Sequence, residues 1–213
     1  MIRDYLLFSL FGFLMGSVLY SYWLPKLLMG IDITALSKDK NPGAYNAFQF
    51  ANSKIGAICL ALDILKGFIP IFLAGCYLDV ARMWFALVIA APVIGHAFSP
   101  WAHCKGGKAI AVTFGVLLGM YRYSLSFLFL ALLLLFLTFI LQIQPHGLRM
   151  IVSMSIYALL CILFPTIPSV SVGGCIAAVV VIFKHIYRCA KEPMNIRLLP
   201  YSKLMEFLRK QQR

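Results

Sequence analysis

The sequence predicts an all-α integral membrane protein, a bundle of about seven transmembrane helices with the N-terminus outside and the C-terminus cytoplasmic. Three observations predict it. Hydrophobic residues make up 62% of the 213-residue chain and charged residues 12%, too little polar surface to cover a water-soluble globule. The runs from Tyr5 to Leu28 and from Ser124 to Ile143 each approach the ~20 residues a helix needs to cross ~30 Å of hydrocarbon, and Lys26 is the only charge in either. The basic residues, finally, gather in alternate connections between apolar segments.

Glycine, proline and charge divide the apolar chain into helices at about 5–25, 55–77, 82–102, 108–121, 124–143, 149–165 and 169–188. The fourth is short for a full span, so tilted, re-entrant or bundle-buried placements are its alternatives, and five or six crossings the alternative count. The first segment is too long for the apolar core of a signal peptide, lacks a small-x-small cleavage site and is followed by further spans. With the N-terminus outside, Lys26, Lys38, Lys40, Lys54, Lys105, Lys108, Arg149 and the basic set from Lys184 to Arg213 fall inside, leaving Arg3, Arg82 and Arg122 outside. The net charge of +12 is therefore read as a topology signal, with no nucleic-acid partner. Residues 1–188 form one membrane domain. Residues 189–213 form a basic cytoplasmic tail, either an amphipathic helix on anionic headgroups or a solvated terminus. Six cysteines without C-x-x-C or ligand spacing suggest neither a disulfide framework nor a metal site.

Three inner-side segments carry candidate chemistry. Ile31 to Asn52 concentrates Asp32, Asp39, Asn41, Asn46, Gln49 and Asn52 around Pro42 and Gly43, which reads as a functional loop or as a solvated loop with an Asx turn. Lys105-Gly106-Gly107-Lys108 opens a helix, as a cradle of backbone N–H groups for an anion would, or as snorkelling lysines around a glycine turn would. It lacks the P-loop spacing. Lys184-His185 near the end of the last helix offers proton exchange close to neutral pH, or an interfacial anchor. Asp63 and Lys66, spaced i, i+3 inside the second apolar segment, read as a structural ion pair.

In order and spacing, several motifs resemble the bacterial acyl-phosphate:glycerol-3-phosphate acyltransferase family. They are Gly16-Ser17, Ile31-Asp32, Asn41-Pro42-Gly43-Ala44-Tyr45-Asn46, the stretch LDILKGFIP from Leu62, Gly95-His96, Lys105-Gly106-Gly107-Lys108 and Lys184-His185 with Asn195. The resemblance covers nearly the whole chain. It implies a seven-helix enzyme of the bacterial plasma membrane with its active face cytoplasmic, transferring a fatty acyl group from acyl phosphate to the 1-hydroxyl of glycerol 3-phosphate and giving lysophosphatidic acid for phospholipid synthesis. It assigns phosphate binding to Lys105, Gly106, Gly107, Lys108, Asn41, Gly43 and Asn195, and catalysis to His185, Asp39 and Asn46. Membrane lipids are the other expected partners; no cofactor and no metal are implied.

The chain departs from the family pattern at Asp39 for serine, Tyr45 for threonine, Gln49 for arginine, Ala109 for glycine, and Gln144-Pro145-His146-Gly147-Leu148 for a short serine motif. Losing the arginine removes a bidentate phosphate partner. An acyl phosphate is already activated, so the site must bind two anions, align hydroxyl with carbonyl, and accept a proton at His185 or Asp39. A non-catalytic or acceptor-switched homologue is the first alternative. A small-anion transporter is the second, although the internal repeat it predicts is not seen.

Overall fold

The computed structural model describes residues 2–164, 167–189 and 195–198; most of the basic tail lies outside the described residues. The first apolar run forms two helices, α1 (Ile2–Ser17) and α2 (Tyr20–Met29), bent 41° apart. The carbonyls freed at that break are taken by distant side chains. Ser99 Oγ donates to Ser17 O at 2.7 Å and Lys66 Nζ to Val18 O at 2.5 Å, so the break is held by tertiary hydrogen bonds where the helix ladder is interrupted. α2 ends at Gly30, whose left-handed φ of 69° lets its N–H and that of Ile31 close on Lys26 O and Pro25 O.

The polar stretch from Ile31 is less of a loop than its composition suggests. Asp32 caps α3 (Ile33–Leu36) through the backbone N–H groups of Thr34 and Ala35. The Thr34 hydroxyl first, then those N–H groups, hold its carboxyl below the usual aspartate range despite the opposing effect of burial. After a turn, α4 (Ala44–Phe50) begins at Gly43. Asn52 then caps α5 (Ser53–Tyr77), the longest helix among the described residues, by accepting from Ile55 N at 2.8 Å.

α6 (Phe85–Ala97) is the central helix: nearly all its residues are buried, with α1 on one side and α10 (Pro168–Cys189) on another. Its crossing with α1 is close because Gly16 and Gly95 lack side chains. A Cβ on Gly16 would stand 2.1 Å from Pro92 O, and one on Gly95 2.2 Å from Phe13 O. α5 pairs in the same manner with α7 (Ile110–Gly119), and α10 packs on α9 (His146–Leu163) as well as on α6. Outward-facing Leu6, Leu10, Leu132, Leu159, Ile162, Val179 and Phe183 stay exposed, as helices solvated by lipid require.

Four described helices are long and apolar enough to cross a membrane, or five if the bent α1–α2 pair is one span. The fifth expected helix, 124–143, ends earlier than its hydropathy implies. It runs as α8 (Ser126–Leu135), widens into a π-helical turn over Phe136–Ile140, and becomes strand β1 (Leu141–Gln144). β1 pairs antiparallel with β2 (Asn195–Leu198), Leu141 opposite Leu198 and Gln144 opposite Asn195. This ribbon corrects the all-helical expectation locally. Leu141-Gln142-Ile143-Gln144 alternates apolar and polar with period two, and a partner strand satisfies a backbone that a helix would otherwise have to pair internally.

Candidate active site

A cavity of about 1080 Å³ opens between the α3–α4 region, α5, α7 and the start of α9. Its polar lining comes from Lys38, Asp39, Asn41, Asn46, Gln49, Lys108, His146, Arg149 and His185, and its apolar lining from Leu60, Ile64, Ile110 and Phe114. Volume and two-sided character match a ligand with an anionic head and an apolar tail.

Asp39 is the hub of the polar side. Lys108 Nζ stands 3.0 Å from Asp39 Oδ2, while Asn46 Nδ2 donates to Asp39 Oδ1 at 2.7 Å and to Asn41 O at 2.8 Å. The first loop is thereby tied to the start of α7 across 69 positions of sequence, 108 minus 39. Gly43 is small because Asn41 occupies its flank: a Cβ there would be 2.5 Å from Asn41 Nδ2.

His185 presents a different case. Its Nδ1 lies 2.7 Å from Val181 O; a carbonyl can only accept, so Nδ1 carries the proton and the lone pair of the neutral ring sits on Nε2. The ring is 1% exposed and meets His146 edge-on, 6.2 Å between centroids. Arg149 Nη2 donates to His146 Nδ1 at 2.9 Å, which places a guanidinium beside the two histidines.

Lys105 and Gly106 line a smaller recess of about 390 Å³ next to the main cavity, together with Lys40 and Lys184; Asn41 and Lys108 line both. Gly107 lines neither. Both glycines are packed on His96: a Cβ on Gly106 would be 1.9 Å from His96 O, one on Gly107 2.3 Å from His96 Nε2, and Gly107 N donates to His96 O at 3.1 Å. Much of the need for glycine here is thus close packing against α6. Asn195 lines neither cavity; it pairs in the ribbon with Gln144, next to the cavity-lining Pro145. Ala109, in the family's glycine position, has φ 61°, a left-handed conformation that costs a residue with a side chain about 1–2 kcal/mol.

Asp63 and Lys66 do form an ion pair, 2.8 Å apart and almost wholly buried. The pair is part of a larger cluster, for Ser21 Oγ donates to Asp63 Oδ2 at 2.8 Å and Lys66 Nζ also reaches His96 Nδ1 at 2.8 Å. Asp63 and His96 both line the main cavity. Reading the sequence for sites passed over His96, His146 and Arg149. The Gly95-His96 pair and the Pro145-His146-Gly147 turn were the available signals.

The family model for glycerol-3-phosphate acyltransferase matches residues 6–191. The chain is 40% identical over 114 residues to the glycerol-3-phosphate acyltransferase of Hydrogenobaculum sp. (strain Y04AAS1), covering 54% of this chain and 57% of that one. It is 40% identical over 111 residues to that of Thermotoga petrophila, covering 52% and 56%. These matches span little more than half the length of either relative. In backbone the chain is similar to the crystal structure of PlsY (YgiH), an integral membrane glycerol 3-phosphate acyltransferase, in its glycerol 3-phosphate form. The TM-score is 0.76 at 25% identity, over 88% of this chain and 91% of that one.

Proposed function

Since the chain belongs to the glycerol-3-phosphate acyltransferase family, we propose that it transfers a fatty acyl group from acyl phosphate to the 1-hydroxyl of glycerol 3-phosphate, producing lysophosphatidic acid. The observation that carries this reading is the cavity itself, which Lys38, Lys108 and Arg149 line together with Asp39 and with apolar Leu60, Ile64 and Phe114. An excess of cations beside an apolar wall suits phosphate groups joined to an acyl chain. Arg149 supplies in this chain the planar, bidentate donor that Gln49 cannot. It approaches the cavity from α9, whereas Gln49 lies in α4.

In the reaction the acceptor hydroxyl oxygen bonds to the acyl carbon, the bond from that carbon to the phosphate oxygen breaks, and phosphate leaves with the electron pair. The hydroxyl proton passes to Nε2 of His185 and leaves with the phosphate, so the protein ends as it began. Asp39 and Asn46 hold the first loop, and with it Asn41 and Lys108, in place around the substrates. The smaller recess, with Lys40, Lys105 and Lys184, is a second anion position, in keeping with two phosphate-bearing substrates. Asn195 is assigned to the ribbon beside the main cavity, and Gly106 and Gly107 to the approach of the α7 loop.

The active face is cytoplasmic. Segments expected inside, around residues 38–40, 105–108, 149 and 184–185, meet at one end of the bundle. Segments expected outside meet at the other: Tyr5 OH donates to Asp79 O at 2.9 Å, Tyr123 OH to Gly75 O at 2.8 Å, and Ser169 Oγ to Val80 O. This arrangement and the positive-inside count support the reading of a multi-pass protein of a bacterial plasma membrane. Impermeant thiol labelling in intact cells will modify Cys76 before Cys104, both exposed; the reverse order refutes the orientation.

The decisive experiment incubates purified protein with acyl phosphate and glycerol 3-phosphate and measures phosphate release and lysophosphatidic acid. Production of both, with acyl-CoA a poorer donor, is expected. Folded protein that yields neither refutes the activity.

A further inference from the structure

Lys66 lies inside α5 and is 1% exposed, yet its ammonium meets three acceptors: Asp63 Oδ1 at 2.8 Å, Val18 O at 2.5 Å and His96 Nδ1 at 2.8 Å. An ammonium has N–H bonds and no lone pair, so toward a ring nitrogen it can only donate. The contact with His96 then has one direction. Lys66 donates, Nδ1 accepts, and the imidazole is neutral with its hydrogen on Nε2. A ring protonated on both nitrogens would set N–H against N–H at 2.8 Å.

His96 is 4% exposed. Among the described residues Nε2 makes no hydrogen bond, and it is accessible from the main cavity, which the ring lines. Gly107 keeps it so. The Cβ of any other residue there would stand 2.3 Å from Nε2 and cover the N–H. An N–H that no protein group accepts and that a cavity reaches is available to a ligand atom.

The neighbouring lining identifies that atom. Ile64, Ile110 and Phe114 line the cavity with His96, and Lys108, Arg149 and Lys38 line it too, two of these cations coming from the loop before α7 and the polar stretch before α4. An acyl phosphate lying with its chain on the apolar wall and its phosphate among the cations has its carbonyl between them. We propose that the Asp63–Lys66–His96 chain fixes His96 as a neutral Nε2–H donor to the acyl carbonyl oxygen of the donor substrate. This rests on the acyl-transfer reading. As the hydroxyl adds to the acyl carbon, the C=O electron pair moves onto oxygen; the hydrogen bond from Nε2 strengthens with that charge and weakens when the carbonyl reforms and phosphate departs. No proton is transferred to or from His96. Asp63 and Lys66 are positioning residues: Lys66 fixes the tautomer, and Asp63, held by Ser21, keeps the ammonium neutralised.

Kinetics and nitrogen NMR of purified, ¹⁵N-histidine-labelled protein test this together. Wild-type activity is measured first; its absence overturns the acyl-transfer reading and this inference with it. With an active wild type, His96→Leu is expected to lower kcat by about 100-fold or more while KM for glycerol 3-phosphate changes by less than about threefold. His96→Gln, whose amide can accept from Lys66 and donate to the carbonyl, is expected to keep at least about a tenth of the rate. Should His96→Leu fail to fold, the wild-type spectrum still decides. It is expected to show His96 as the neutral Nε2–H tautomer, with that N–H signal shifting when a non-hydrolysable acyl phosphonate binds, and Lys66→Met is expected to mix the tautomers. An Nδ1–H tautomer, an Nε2–H signal indifferent to the phosphonate, or a folded His96→Leu with wild-type kcat overturns this inference alone.

Discussion

Two aspartate–lysine pairs, nearly alike in geometry, do different work in this molecule. Asp39–Lys108 spans 3.0 Å with side chains 29% and 22% exposed, and it joins the first polar loop to the start of α7. Asp63–Lys66 spans 2.8 Å with side chains 2% and 1% exposed, both on α5. Water reaches the first pair, so an incoming phosphate can compete with Asp39 for Lys108 at small net cost. The second is almost wholly buried, and each of its charges depends on the other and on Ser21, Val18 and His96. The exposed pair is suited to being exchanged for substrate; the buried pair is suited to holding one arrangement through every turnover.

Breaking the buried pair should give the largest effect. Lys66→Met or Asp63→Leu alone leaves an uncompensated charge in the bundle and is expected to destabilise the protein by about 3–5 kcal/mol. The double variant is expected to lose less than the worse single one. Thermal unfolding in one detergent measures both, and additive losses would show that the two charges are not coupled.

Ser21→Ala sharpens the comparison by removing a single hydrogen bond from the Asp63 carboxylate. Bonds to a charged group contribute about 1.5–3 kcal/mol, so a loss in that range is expected by the same measurement. A change within error would mean that Asp63 is held by Lys66 alone.

Lys108→Ala, at the exposed pair, should move stability by no more than about 1 kcal/mol. Acyl transfer should nevertheless fall by roughly 10-fold to 100-fold, because a charge-assisted contact to phosphate is lost. Stability and activity thus change in opposite proportion at the two pairs. A Lys108→Ala protein that unfolds readily yet turns over normally would overturn the distinction.

The sequence by itself determined the membrane character and most of the helices. α5, α9 and α10 lie within about three residues of the segments read from hydropathy at 55–77, 149–165 and 169–188, because an apolar run of about 20 residues is a local quantity that needs no partner to be recognised. Part of the candidate site was legible for a similar reason. Asp39, Asn41, Gly43, Asn46, Lys108 and His185 stand out locally as polar groups, turn formers or a motif, and all six line the one cavity. The tertiary structure decided what those residues face. That Lys66 donates to a histidine 30 positions away, that Gly107 is bare because His96 Nε2 lies over it, that Arg149 stands in the same cavity as Gln49, and that residues 141–144 leave their helix to pair with 195–198 are contacts between distant parts of the chain. Such contacts form only when the helices pack, and neither residue of such a pair carries a local mark of the other.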